Sequence, residues 1–213
     1  MRSAPAALVL VHGAGNGPWV FRRWEGAFPG VIVSAIDLQQ GLNIAKASME
    51  DYSNVVVDGA RRLPGPIALC GWSMGGLVAL LAAQRFKTHS VVLIEASAPG
   101  EVQGFNPHVE LVQGTFDPET VYGRFPPGMP SRPESVLARA ERKRGISIPS
   151  LSCRSLVVYG DSFWKERGAS IAMFYGSETL YCPGLHHWDL VIDPRVRDGI
   201  ARFLGVKAPG APS

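Results

Sequence analysis

Residues 67–83 constrain this chain most. The apolar run Ile67-Ala68-Leu69-Cys70 is followed by Gly71-Trp72-Ser73-Met74-Gly75-Gly76 and then by Leu77-Val78-Ala79-Leu80-Leu81-Ala82-Ala83, a stretch of helix formers. A short apolar run that gives way to a helical one across a glycine-fenced serine reads as strand, sharp turn and helix. Glycine on both sides lets such a turn close without Cβ clashes. The serine at its apex is then held in a strained conformation with its hydroxyl exposed above the sheet, a position suited to a nucleophile. In a chain with 24 glycines so short a pattern needs corroboration from the rest of the sequence.

The flanking sequence repeats the strand–helix alternation. Leu8-Val9-Leu10-Val11, Val31 to Ile36, Val91-Val92-Leu93-Ile94, Ser155 to Tyr159 and Thr179 to Cys182 are short runs typical of strands in a parallel sheet. Between them, apolar positions recur at helical spacing from Pro18 to Phe28, from Tyr52 to Leu63, from Lys165 to Tyr175, and from Val196 to Leu204. Ser48-Met49-Glu50-Asp51 and Asp193-Pro194 supply helix starts, and Lys207 to Ser213 reads as a frayed tail. The pattern predicts an α/β fold: a doubly wound sheet of about six parallel strands, with ligands in the crevice at the strands' carboxyl ends. Residues 99–149 break the regularity. They hold eight of the 17 prolines and no strand pattern, and read as a proline-rich lid inserted within one domain spanning residues 1–213. Ser131-Arg132-Pro133-Glu134 resembles a capping box that opens one charged helix there.

Composition removes several classes of function. The net charge of +3 is dispersed apart from Arg139, Arg142, Lys143 and Arg144, without the interleaved aromatics of a nucleic-acid groove, so no nucleic-acid partner is expected. Cys70, Cys153 and Cys182 lack metal-ligand spacing and form no disulfide framework. They read as small buried residues in a reducing compartment, and no metal is expected. The run from Ala6 to Val11 ends at His12-Gly13 without a cleavage site and reads as a strand rather than a signal peptide. No run of 18 apolar residues is present, so no membrane span is expected, and the cytoplasm is the expected location.

Ser73, Asp161 and His187 fall in that order at the ends of predicted strands. With His12-Gly13 after the first strand, Gly71-Trp72-Ser73-Met74-Gly75, Gly160-Asp161 and Pro183-Gly184-x-x-His187, the chain resembles the α/β-hydrolase family over nearly its whole length. The opening His12-Gly13-Ala14-Gly15-Asn16-Gly17-Pro18-Trp19 is similar to that of the small plant-type esterases and hydroxynitrile lyases in that family. The resemblance implies a fold lacking the first two family strands. It also implies Ser73 as nucleophile, His187 as base, Asp161 as acid, and an oxyanion hole from the backbone N–H groups of Ala14 and Met74. His12 is implied to pack behind the oxyanion loop. Two choices stay open. Family acids commonly sit three residues past the strand-end glycine, where this chain has Phe163, and Glu95 at the end of the fourth strand is the competing acid. His186 competes with His187.

These residues lead to the expectation of a serine hydrolase without cofactor, most plainly a carboxylesterase for a small or medium ester. Trp19, Trp72, Trp164 and Trp188 flank the proposed loops and read either as core or as an apolar substrate rim. Thioesterase and cofactor-free haloperoxidase-like activities share the scaffold. Hydroxynitrile lyase activity would need a cation near the histidine, for which Lys165 is the candidate. A non-enzymatic binding protein is the third reading, opposed by the presence of all three catalytic residue types.

Overall fold

The computed structural model describes residues 3–206. In chain order it runs β1 (Ala7–Val11), a 3-10 helix (Pro18–Trp24), β2 (Ile32–Ile36), α1 (Met49–Ala60), β3 (Ile67–Trp72), α2 (Met74–Ala83) and β4 (Ser90–Ile94). An excursion then carries α3 (Gly100–Gln103), β5 (Thr115–Phe116), α4 (Pro118–Tyr122), β6 (Glu134–Ser135) and α5 (Val136–Arg144). The chain returns through β7 (Arg154–Tyr159), a π-helical turn (Trp164–Ala169), α6 (Ser170–Tyr175), β8 (Glu178–Tyr181) and α7 (Pro194–Leu204). The expected tail at 207–213 lies outside the described residues.

Six strands form one parallel sheet in the order β2-β1-β3-β4-β7-β8. Both faces are covered, which is why the central runs of the inner strands are apolar, with polar residues confined to the starts of β4 and β7. In β1, Ala7, Val9 and Val11 pack with α1 and α2 on one face, while Leu8 and Leu10 pack with the 3-10 helix and α7 on the other. Full burial of each such aliphatic side chain contributes about 1.5–3 kcal/mol. Helix starts follow the sequence: Ser48 and Asp51 cap α1 reciprocally, and the Asp193 side chain accepts from the Arg195 N–H at the head of α7.

Three local expectations are corrected. The helix expected to run from Pro18 to Phe28 is a 3-10 helix ending at Trp24. Its path is set by burial of Phe21, Trp24 and Phe28 against the sheet rather than by continued helical hydrogen bonding. The excursion does contain strands, since β5 and β6 pair antiparallel, but at two residues each they are too short to leave a periodic signal. The capping box expected at Ser131 to Glu134 does not form. Ser135 caps α5 by accepting from the Ala138 N–H at 3.1 Å, and Glu134 is fully buried with other partners.

Candidate active site

Sheet register brings the chemistry to one edge. Val11 pairs with Gly71, Gly71 with Leu93, and Leu93 with Val157, so β1, β3, β4 and β7 end nearly level. His12, Ser73, Glu95 and Gly160 follow at their carboxyl ends. The turn at Ser73 is tight enough to exclude any side chain at Gly71 and Gly75. A Cβ on Gly71 would lie 2.2 Å from the Gly75 carbonyl oxygen, and one on Gly75 would lie 2.2 Å from the Val11 carbonyl oxygen. Ser73 itself sits at φ 58°, ψ −125°, a conformation that costs about 1–3 kcal/mol and is held by Ser73 N–H donating to Ile94 and Ser97 N–H donating to Ser73.

His187 turns inward and His186 outward. The exposed His186 ring meets Ser162 Oγ at 3.2 Å through Nδ1, whereas His187 packs against Trp72 with ring centroids 4.9 Å apart. The Trp72 indole N–H donates to the His187 carbonyl at 3.1 Å. Burial holds the imidazole below the ordinary histidine pKa. The hydrogen bond and charge of Glu95 pull it back up in part, and Arg167 adds a smaller downward push. The balance favours the neutral form of the ring.

The carboxylate behind His187 belongs to Glu95, and the expectation of Asp161 is corrected. Glu95 Oε2 accepts from His187 Nδ1 at 2.7 Å, and Oε1 accepts from the Gly160 N–H at 3.0 Å. Glu95 is fully buried, and its positive φ of 36° follows directly on β4, turning its side chain across the end of β7. Asp161 is exposed and occupied elsewhere: it accepts from Tyr181 Oη–H at 2.7 Å and from the Gly184 N–H at 3.0 Å. These bonds, led by the one from Tyr181, lower its pKa. Asp161 ties the loop after β7 to the turn that carries His187.

Ala14 lines the same cavity as Ser73 and Met74 follows it in sequence, and neither N–H donates to another described residue. Met74 is the first residue of α2, where the N–H has no intrahelical acceptor and the helix dipole favours negative charge. The loop carrying Ala14 is gripped by residues of the excursion, a feature with no sequence signal. Glu134 Oε2 accepts from the Gly15 N–H at 2.8 Å, while Oε1 accepts from Tyr52 Oη–H and from the Ser135 N–H. Arg132 donates to the Asn16 carbonyl at 2.7 Å and pairs with Asp37. His12 is fully buried, with Nε2 accepting from the Leu38 N–H at 3.1 Å.

Ser73 and His187 open into one cavity of about 400 Å³. Trp72, Trp188, Phe125 and Phe163 form aromatic walls, and Arg142 and Arg167 also line it. Of the four tryptophans read as core or rim, Trp72 and Trp188 line the cavity, whereas Trp164 is exposed and Trp19 packs against Gly17 and beneath Arg132. Lys165, the cation considered beside the histidine, lines a neighbouring cleft instead. Among the described residues no cluster of three or more His, Cys, Asp or Glu is placed to hold a metal, and no helix is long and apolar enough to cross a membrane.

A strained serine at a strand-to-helix turn over a parallel sheet thus shares a cavity with a histidine backed by a buried carboxylate. A sequence profile of the alpha/beta hydrolase family matches residues 8–208, and the chain belongs to that family. A pimeloyl-[acyl-carrier protein] methyl ester esterase from Aromatoleum aromaticum is 36% identical over 95 residues, which cover 42% of this chain and 37% of that relative. Among solved structures, one from the metagenome-derived lipolytic enzymes LipS and LipT is similar with a TM-score of 0.63 at 20% identity, covering 96% of this chain and 95% of its own. A pyrethroid hydrolase from Sphingobium faniae JZ-2 gives 0.63 at 20% over 94% and 97%. The type II thioesterase BorB gives 0.64 at 17% over 98% and 96%. At these identities the structural likenesses speak for the fold, and the protein is an enzyme of the α/β-hydrolase class.

Proposed function

We propose that the protein is a carboxylic ester hydrolase that works through an acyl-enzyme on Ser73. The observation that carries this reading is the His187–Glu95 hydrogen bond, set beside Ser73 in one aromatic-walled cavity. Neutral His187 takes the Ser73 hydroxyl proton through Nε2 as Oγ bonds to the ester carbonyl carbon, a step worth about 10²–10⁴ in rate. Glu95 accepts from Nδ1–H, which fixes the tautomer and stabilises the imidazolium. The tetrahedral oxyanion meets the Ala14 and Met74 N–H groups, each donor contributing about 10²–10³. Collapse breaks the C–O bond, His187 returns the proton to the leaving alkoxide, and water repeats the sequence to release the acid. The excursion at 99–149 serves as the lid over this cavity, since Val121, Tyr122, Phe125 and Arg142 come from it. The methyl ester esterase relative supports an ester as the scissile group.

The test is turnover of a p-nitrophenyl ester series from acetate to octanoate, with mandelonitrile as a counter-substrate. Saturable ester hydrolysis that disappears in Ser73→Ala is expected. Cyanide release exceeding ester turnover, or hydrolysis unaffected by Ser73→Ala, overturns the proposal.

A further inference from the structure

The basic cluster on α5 is only partly explained by its place in the chain. Arg142, Lys143 and Arg144 occupy the last turn of α5, where cations complement the helix dipole, and the exposed Lys143 and Arg144 need no other reason. Arg142 differs. It is half-buried and lines the Ser73 cavity, and it reaches only neutral oxygens, Tyr122 Oη at 3.1 Å and Ser97 Oγ at 3.5 Å. Its Nε is buried without a partner. Arg167, on the π-helical turn, lines the same cavity, is also half-buried, and its guanidinium lies over the Phe163 ring at 4.2 Å. Neither arginine forms an ion pair with a carboxylate among the described residues. Burial first, and then the charge of Arg142, disfavour the Arg167 cation, with Glu95 offsetting part of this.

Two partly buried guanidinium groups lining one space without a carboxylate in ion-pair contact are unfavourable until an anion joins them. A second cleft of about 600 Å³ shares Arg142, Arg167 and Tyr122 with the Ser73 cavity and adds Arg139, Lys143 and Lys165 against a single acid, Glu166. The positive field thus extends from the catalytic cavity outward through its shared wall.

We propose that the substrate carries an oxyanion, a carboxylate or a phosphate, tethered to the scissile ester or thioester and gripped between Arg142 and Arg167. This inference rests on the ester hydrolase reading for its reaction, but the anion site is testable without turnover. Guanidinium groups bind carboxylate and phosphate alike through paired N–H donors, so two substrate pairs distinguish the sources. Monomethyl adipate against dimethyl adipate differs by a carboxylate, and S-hexanoyl-4′-phosphopantetheine against S-hexanoyl-pantetheine differs by a phosphate.

The quantity to measure is the ratio of kcat/KM for the anionic member to that for the neutral one. A ratio above about ten is expected for one pair, falling about tenfold or more in Arg142→Gln and in Arg167→Gln, with partial retention in Arg142→Lys. Thermal melts verify that the variants fold. A ratio of one or less for both pairs, or ratios unchanged in both glutamine variants, overturns the anion site while neutral-ester turnover leaves the hydrolase reading standing. Should neither pair turn over, calorimetric binding of monomethyl adipate and phosphopantetheine to Ser73→Ala decides the matter. Binding weakened by Arg142→Gln supports the site, and no binding of either probe overturns it.

Discussion

Replacing Glu95 by glutamine separates the two carboxylates that compete for the role behind His187. The buried carboxylate serves two donors, Gly160 N–H through Oε1 and His187 Nδ1–H through Oε2, and an amide has a single oxygen to offer. If that oxygen stays on Gly160, the amide NH₂ faces Nδ1, which must then accept. The ring proton moves to Nε2, and Ser73 loses its base. If the amide flips, its NH₂ abuts the Gly160 N–H, leaving a buried donor unpaired at about 1–3 kcal/mol. The imidazolium also loses its charged partner in the transition state. Together these terms predict that kcat/KM for p-nitrophenyl butyrate falls by about 10²–10⁴ in Glu95→Gln.

The pH dependence carries an independent sign. Below the pKa of His187 the protonated ring is no base, so kcat/KM declines on the acid side with an apparent pKa below the ordinary histidine range. Glu95 raises that pKa, so the residual activity of Glu95→Gln should have its acid limb at still lower pH. Asp161→Asn should leave kcat/KM within about threefold, because the exposed Asp161 carboxylate hydrogen-bonds to Tyr181 and Gly184 and not to His187. Near-normal activity in Glu95→Gln together with a collapse in Asp161→Asn would refute the assignment.

Two further outcomes follow from the geometry around Ser73. Glu134→Leu leaves Gly15 N–H, Ser135 N–H and Tyr52 Oη–H without their acceptor, at about 1–3 kcal/mol for each buried donor. A lowered denaturation midpoint by calorimetry is expected, with a fall in kcat exceeding any rise in KM because the Ala14 loop loses its anchor. Gly75→Ala places a methyl group against the Val11 and His12 carbonyl oxygens, and loss of soluble folded protein on expression is expected. A normal melting profile for this variant would show that the turn is looser than described.

The parts of this architecture that were legible in the sequence have local causes. β1, β3 and β4 are buried on both faces, so their apolar runs declare them without reference to the rest of the chain. The glycines around Ser73 are legible because steric exclusion at Gly71 and Gly75 leaves no other residue possible. The carboxylate that bonds His187 was not legible in the same way. Glu95 and Asp161 each follow a strand at the same sheet edge, and the choice depends on a backbone turn at Glu95 and on bonds that draw Asp161 to Tyr181 and Gly184. Glu134 was hidden for a related reason: its partners lie at Gly15 and Tyr52, far away in sequence, while its immediate neighbours imitate a helix cap. The inward turn of Arg142 likewise depends on where α5 lands, which its charged sequence does not specify.

The most direct test of the central claim, that Ser73 is the nucleophile activated by His187 and Glu95, is covalent labelling with a fluorophosphonate followed by peptide mass spectrometry. A single adduct on Ser73, absent in Ser73→Ala and greatly slowed in Glu95→Gln, is the predicted result. Labelling at another residue, or a Ser73 adduct that forms as fast in Glu95→Gln as in the unaltered protein, would contradict it.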